Sequence, residues 1–127
     1  MKKVFTVLVV DDEPSVRSAV SLVLGKASMR VLEADSAAAA RKLWEKHGSA
    51  INLLLVDISM PQTTGPEFVH ELFAGKAGVP VIFMSGLGRG DVLEATIDVP
   101  HLTILQKPFA PRDLLQVIEN QCSLAGV

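Results

Sequence analysis

Short apolar runs alternate along the chain with stretches in which apolar residues recur at intervals of three and four. The run at 51–56 ends abruptly at Asp57. A β-branched run of this length, bounded by turn signals, is typical of a strand buried on both faces, which normally lies in the middle of a parallel sheet. We therefore expect Asp57 at the carboxyl edge of such a sheet, where ligands bind in open α/β folds.

The remaining runs complete an alternation of strands and helices. The predicted strands cover residues 4–10, 30–34, 51–56, 80–84 and 102–105, and the second is an edge candidate because it is short and charged. Helical spacing predicts helices at 14–25, 37–47, 66–74, 91–97 and from 111 onwards. This alternation, repeated five times, predicts a three-layer α/β sandwich with right-handed crossovers, as a single domain over residues 1–127.

The helical spacing also predicts which side chains face the sheet. In the first helix these are Val16, Ala19, Val20 and Val23. In the later helices they are Ala40, Leu43 and Trp44, then Phe68, Leu72 and Phe73, and finally Leu114, Leu115, Val117 and Ile118. Ser36 is predicted to cap the second helix, because a serine hydroxyl accepts a hydrogen bond from a free N–H of the first turn.

Composition narrows the class of protein. Apolar residues make up 49% of the 127 residues and charged ones 20%, which is typical of a globular domain. A net charge of −2 gives no electrostatic basis for binding nucleic acid or an anionic membrane. No stretch is long enough to cross a bilayer. The single cysteine, Cys122, excludes an internal disulfide and a cysteine zinc site, and we expect a cytoplasmic location.

Polar residues that can carry chemistry follow four of the five predicted strands. They are Asp11 and Asp12, then Asp57, Ser85 and Lys107. The ends of parallel strands share one edge of the sheet, so these side chains are predicted to converge. Carboxylates brought together repel one another unless a cation lies among them. Oxygen ligands completed by water suit Mg²⁺ better than Ca²⁺.

The same residues suit phosphoryl transfer. An aspartate carboxylate such as Asp57 is a known covalent nucleophile toward phosphoryl groups. Lys107 adds a positive charge that keeps Asp57 ionised and then contacts a phosphoryl oxygen, and Ser85 offers a hydroxyl donor. Positioning and charge neutralisation are most of what this chemistry requires of a protein.

The chemical residues lie in four short motifs, which are Leu8-Val-Val-Asp11-Asp12-Glu13-Pro14, Asp57-Ile-Ser-Met60-Pro61 with Gly65 eight residues after Asp57, Ser85-Gly86, and Lys107-Pro108-Phe109. With these motifs in this order, the chain resembles the receiver domain of bacterial two-component response regulators over nearly its whole length. The resemblance implies a flavodoxin-like sheet of order 2-1-3-4-5. It also implies that Asp57 takes phosphate from a phosphohistidine of a sensor histidine kinase or histidine phosphotransfer protein, and that an output domain or partner protein responds.

The resemblance further implies individual roles. Asp12 would bind Mg²⁺ directly, Asp11 through water, and the backbone carbonyl of Ser59 would be a third protein ligand beside Asp57. Lys107 would contact the phosphoryl group, and the Lys107–Pro108 peptide would be cis. The output face of the family corresponds to the helix predicted at 91–97, the fifth strand and the last helix, and the sequence leaves open whether a homodimer forms through it.

The implied switch has an unusual feature in this chain. In the family, the hydroxyl corresponding to Ser85 moves toward the phosphoryl oxygens, and an aromatic ring three residues before the lysine often follows it. That position is Ile104 here, which is smaller and stiff because it is β-branched. We also expect Leu87, two residues after Ser85, to shield the phosphoaspartate from water.

Three rival functions use similar features. A haloacid-dehalogenase-like phosphatase needs a second acid two residues after its aspartate, and Ser59 stands there. A flavin-binding protein is the second rival, but the flavin phosphate would be repelled by the carboxylates of Asp11, Asp12 and Glu13. A degenerate receiver that serves only for docking would lack chemical residues that this chain keeps. The sequence leaves open whether the receiver stands alone or is a piece of a longer regulator or hybrid kinase.

Overall fold

The computed structural model describes residues 4–74, 78–86 and 103–124, and its strands form one parallel sheet. The spatial order is β2-β1-β3-β4-β5, which confirms the order implied by the resemblance and the edge position of the second strand. The strands are β1 (Thr6–Val10), β2 (Arg30–Ala34), β3 (Leu53–Asp57), β4 (Val81–Ser85) and β5 (Ile104–Gln106). Asp57 is thus the last residue of β3 rather than the first residue after it.

Four helices and one short 3-10 turn lie in the described ranges. They are α1 (Pro14–Lys26), α2 (Ala37–His47), the 3-10 turn Gly48–Ala50, α3 (Gly65–Phe73) and α4 (Pro111–Leu124). The helix predicted at 91–97 lies outside the described residues. No helix in the part of the chain described here is long and apolar enough to cross a lipid bilayer.

Short polar side chains set where two of these helices begin. The Ser36 hydroxyl accepts a hydrogen bond from the Ala39 N–H at 3.1 Å, which confirms the predicted cap of α2. The Thr64 hydroxyl does the same for α3, accepting from the Glu67 N–H at 3.2 Å. Each cap satisfies one N–H that the first turn of a helix leaves without an intrahelical partner.

The sheet separates two hydrophobic cores, as a three-layer sandwich requires. Even-numbered residues of β1 and β3 pack with α2 and α3, and odd-numbered residues of the same strands pack with α1 and α4. This division follows from the alternation of side chains along a strand. Because both faces are covered, the two strands are apolar throughout apart from their ends, and their polar residues are confined to the edge of the sheet.

The predicted helical stripes are largely confirmed, with one exception in α1. Val20 is buried as predicted, and Val16 and Val23 pack against the core at its margin. The prediction for Ala19 is wrong, since its side chain is exposed. Ala19 lies at the border of the stripe and is too short to reach the sheet, whereas Leu24, one turn after Val20, is fully buried.

The strand register explains why remote residues meet at one edge. Val10 is paired with Val56, so Asp11 and Asp57 follow side by side on neighbouring strands. Asp57 is paired with Met84 on the other side, which places Ser85 one residue further along β4.

The last strand adds Lys107 to this edge in the same way. Ser85 is paired with Gln106, so Lys107 is the first residue beyond β5. The Lys107 N–H continues the ladder by donating to the Ser85 carbonyl at 2.7 Å. The carboxyl edge therefore presents acidic, hydroxyl and basic side chains from four adjacent strands.

A pair of leucines tests which residues carry the core. Leu55 is fully buried in β3, so Leu55→Ala is expected to lower the free energy of unfolding by about 2–5 kcal/mol. Leu22 is 61% exposed on α1, so Leu22→Ala is expected to change it by less than about 0.5 kcal/mol. Urea unfolding with an unchanged denaturant slope measures both, and equal losses would contradict the assigned burial.

Candidate active site

Three carboxylates meet at the carboxyl edge of the sheet. Asp11, Asp12 and Asp57 each bring an oxygen to within 4.8 Å of the others. Asp11 and Asp57 are buried, at 0% and 5% exposure, while Asp12 is exposed beside them. The structure therefore brings together all three side chains that the sequence pointed to as metal ligands, with one of them open to solvent.

The ammonium group of Lys107 lies against the two buried carboxylates. Its Nζ is 2.8 Å from Asp11 Oδ2 and 3.5 Å from Asp57 Oδ2. A third acid, Glu13, also approaches Nζ, with its Oε1 at 3.5 Å. The lysine side chain is only 14% exposed, so its charge is balanced by protein groups more than by water.

The two buried carboxylates are held in the same manner. Asp11 Oδ1 accepts a hydrogen bond from the Glu13 N–H at 2.9 Å, and Asp57 Oδ1 accepts one from the Ser59 N–H at 3.1 Å. In each case the donor is the N–H two residues further along, a local turn that aspartate commonly forms. One oxygen of each carboxylate is thus fixed by the backbone, and the other faces Lys107.

This environment shifts the pKa of both partners. Burial, reinforced by the charge of Asp11, raises the pKa of Asp57 from its ordinary 3.8 to about 6, although Lys107 and the Ser59 N–H oppose the rise. Burial alone would lower the pKa of Lys107, but its contacts with Asp11, Asp57 and Glu13 outweigh burial and raise it. Lys107 therefore stays charged, and Asp57 is the acid whose charge is hardest to maintain.

Gly65 allows the start of α3 to pack directly on the end of β3. A Cβ on this residue would collide with the backbone carbonyl of Asp57. The Gly65 N–H donates to the Ile58 carbonyl at 2.8 Å, and Ser59 forms an isolated antiparallel bridge with Thr64. The loop that carries Ser59 is thereby closed back onto the end of β3, with its exposed side chain turned to solvent.

Arg17 supports the site from α1, a role that the sequence interpretation missed. Its Nη1 donates to the Asp11 carbonyl at 2.6 Å, and its Nε lies 3.6 Å from Glu33 Oε1 on β2. The guanidinium therefore joins the end of β1 to two neighbouring elements. The sequence signal for this contact is weak, because an arginine one turn into an amphipathic helix is usually a solvent-facing residue.

The remaining expected site residues are placed as follows. Ser85 is buried at the end of β4, at 2% exposure. The Lys107–Pro108 peptide is cis, as the resemblance implied. Ile104 is partly buried on β5 and packs against the core shared with α2 and α3. Leu87, expected to shield the acceptor, lies outside the described residues.

The donor set fits a hard divalent cation. The group contains only carboxylates, two of them buried. Asp11 Oδ2 is fully buried and accepts no hydrogen bond from the residues that the structure describes, apart from its ion contact with Lys107. Oxygen donors with one open side match the preference of Mg²⁺, which keeps part of its water shell. That Ser59 adds its backbone carbonyl to this set stays a prediction.

Comparisons with known proteins agree on one family. The response regulator receiver domain is the family whose sequence profile matches this chain, over residues 7–119. Response regulator Rre1 of Synechocystis is 32% identical over 124 residues, which cover 94% of this chain and 52% of Rre1. Sensor kinase CckA of Brucella abortus is 28% identical over 115 residues, which cover 91% of this chain and 12% of CckA.

A solved structure shows the same similarity in three dimensions. Chemotaxis protein CheY4 of Vibrio cholerae is 27% identical and superimposes with a TM-score of 0.83, covering 93% of this chain and 98% of CheY4. The chain spans about half of Rre1 and a much smaller part of CckA.

A pair of glycines tests the packing beneath Asp57. Gly65→Ala is expected to lower the free energy of unfolding by about 1–3 kcal/mol, because its methyl group would push the Asp57 carbonyl aside. It should also weaken Mg²⁺ binding, measured by calorimetry. Gly25→Ala, in α1 with nothing within 4 Å of the added carbon, should leave Mg²⁺ binding unchanged. Equal Mg²⁺ affinity in all three proteins would contradict the assignment.

A pH experiment tests the raised pKa of Asp57. Without divalent cations, Asp57→Asn is expected to be more stable than the wild type at pH 7 by roughly 3 kcal/mol. The pKa of Asp57 is about 6 in the folded chain and ordinarily 3.8. As pH rises through this window, the unfolded chain ionises first, so the wild type loses stability that the variant keeps.

Urea unfolding at pH 7 and pH 4 measures this difference. The advantage of Asp57→Asn should vanish near pH 4, where Asp57 is protonated in the folded wild type. Asp35→Asn, which removes an exposed acid beyond β2, is the control and should match the wild type at both pH values. An equal gain in the control would assign the effect to net charge.

Proposed function

The chain belongs to the response regulator receiver domain family, and from this membership we propose that Asp57 is its phosphoacceptor. The family is a signalling family of phosphorylation-dependent domains rather than of classical enzymes. In the proposed reaction an Asp57 oxygen forms a bond to phosphorus. The bond between phosphorus and the donor nitrogen breaks, and its electron pair returns to the histidine ring of the donor.

One observation carries this proposal: the Lys107 ammonium is shared between Oδ2 of Asp11 and Oδ2 of Asp57. The ammonium favours the ionised form of Asp57, which burial opposes, and ionised Asp57 is the nucleophile. Once the phosphoryl group is attached, the same ammonium lies within reach of its oxygens and offsets their charge. The backbone N–H of Ser59 keeps the carboxylate oriented throughout.

The proposed Mg²⁺ ligands are Asp11, Asp12, Asp57 and the backbone carbonyl of Ser59, with Asp11 acting through a water molecule. The exposed position of Asp12 leaves an open side for water and for the incoming phosphoryl group. A bound Mg²⁺ would neutralise charge on the transferring phosphoryl oxygens. The chain's own part is to hold three carboxylates within 4.8 Å of one another.

The proposed switch begins at Ser85. This hydroxyl belongs to the last residue of β4, which is backbone-bonded to Lys107. A phosphoryl group on Asp57 would favour the arrangement in which the hydroxyl donates to it, shifting an equilibrium between two conformations. Ile104 stands where many relatives carry an aromatic ring, so the signal would pass to α4 without rotation of such a ring.

The proposed partners follow from this chemistry. The donor would be a sensor histidine kinase or a histidine phosphotransfer protein, and the receiver of the signal an output domain or partner protein. We place the domain in the cytoplasm, without direct binding to nucleic acid or membrane, and with homodimerisation through the output face as one form of response. The domain would catalyse its own phosphorylation and a slow dephosphorylation. A phosphatase is disfavoured because Ser59 replaces its general acid.

Covalent labelling tests the proposal directly. Wild type and Asp57→Asn are incubated with acetyl phosphate, with and without Mg²⁺, and intact masses are measured. We expect the wild type to gain the mass of one phosphoryl group only when Mg²⁺ is present, because both the acceptor and the cation are required. Asp57→Asn should gain none, since an amide is not a nucleophile toward phosphorus.

Four other labelling outcomes would each contradict a different part of the proposal. Labelling of Asp57→Asn to the same extent would place the acceptor elsewhere, and labelling without Mg²⁺ would remove the metal role of the carboxylates. Continuous release of phosphate without accumulation of label would favour a phosphatase. A protein that takes no label at all would favour a docking module.

A further inference from the structure

Glu13 stands at the N-cap of α1 but does not act as a cap. N-caps favour short polar side chains, whose oxygen reaches back to the first turn. Glutamate is longer, and its side chain makes no capping hydrogen bond to the helix within the described residues. Its carboxylate turns instead to Lys107, placing Oε1 3.5 Å from Nζ. The side chain is therefore directed at the active site rather than at its own helix.

The distances make Glu13 a competitor of the acceptor. Lys107 Nζ lies at 3.5 Å from Glu13 Oε1 and also at 3.5 Å from Asp57 Oδ2. Glu13 lies on the solvent side of the ammonium, with a 58% exposed side chain, whereas Asp57 is 6% exposed on the inner side. Among the described residues, three carboxylates contact this ammonium, those of Asp11, Glu13 and Asp57. Glu13 is the one of the three that is not a proposed metal ligand.

We propose that Glu13 is a positioning residue that draws Lys107 away from Asp57 and thereby slows phosphorylation of the acceptor. The inference rests on the proposed function. An exposed ion pair is weak and exchanges readily, so Glu13 holds the Lys107 ammonium only part of the time and slows phosphorylation without preventing it. Its backbone N–H donates to Asp11 Oδ1, which keeps the backbone of Glu13 at a fixed place beside the site.

Two substitutions separate contact from charge. Glu13→Gln removes the charge, and Glu13→Asp keeps it but withdraws the carboxylate by one methylene group. Competition predicts that both variants are phosphorylated faster than the wild type, by about two- to tenfold, because Lys107 is no longer drawn toward residue 13. A tenfold change in rate corresponds to a barrier change of about 1.36 kcal/mol. The rate is measured by intact mass with acetyl phosphate at saturating Mg²⁺.

Asp35→Asn is the matched control for net charge. Asp35 is an exposed acid just beyond β2 at the same edge of the sheet. Because acetyl phosphate is an anion, a general charge effect would accelerate Asp35→Asn and Glu13→Gln alike but leave Glu13→Asp at the wild-type rate. That pattern would overturn the inference, as would wild-type rates in both Glu13 variants.

A second measurement is independent of phosphorylation. In Mg²⁺-free protein, the ¹⁵N–¹H signal of the Lys107 ammonium is expected to shift in Glu13→Gln and Glu13→Asp and to stay unchanged in Asp35→Asn. An unchanged signal in the Glu13 variants would contradict the contact itself. Failure of the wild type to accept phosphate would reject the proposed function, whereas normal labelling with equal rates would reject only the role of Glu13.

Discussion

The placement of like charges in a buried site is the constraint on which the rest of this structure depends. Asp11 and Asp57 follow paired residues of neighbouring central strands and are removed from water together. Such a pair is costly unless a cation accompanies it. The fold supplies one from β5 through Lys107, and it gives each carboxylate an N–H partner of its own. These contacts do not fully offset the cost of burying the charge of Asp57, and the pKa of Asp57 is therefore raised.

Much of this arrangement follows from the pattern of apolar residues. Runs that are apolar on both faces identify the central strands, and their polar ends identify the edge that carries chemistry. Asp57 and Lys107 could be placed together in this way, although 50 residues separate them. The sheet order came from the resemblance, because alternation alone fixes the layers and leaves the order of the strands open.

Other features depend on three-dimensional detail that no pattern encodes. Ala19 has the right residue type for a buried stripe but not the reach. The sequence predicts Glu13 as an acidic residue at the start of a helix, whereas its contact with Lys107 depends on the rotamer of its side chain. Arg17 hydrogen-bonds a backbone carbonyl, a partner that every residue offers and that no sequence motif distinguishes. Lys107 Nζ is closer to Oδ2 of Asp11 than to Oδ2 of Asp57, but the two distances differ by less than an ångström.

The hydrogen bond from Arg17 to the Asp11 carbonyl has a mechanical consequence. It ties α1 to the end of β1, while the same guanidinium contacts Glu33 on the edge strand. The helix cannot slide along the sheet without pulling on the backbone that presents the buried acid. A displacement of α1, such as one caused by a protein bound to its outer surface, would therefore be transmitted through Arg17 to the carboxylates at the end of β1 and β3.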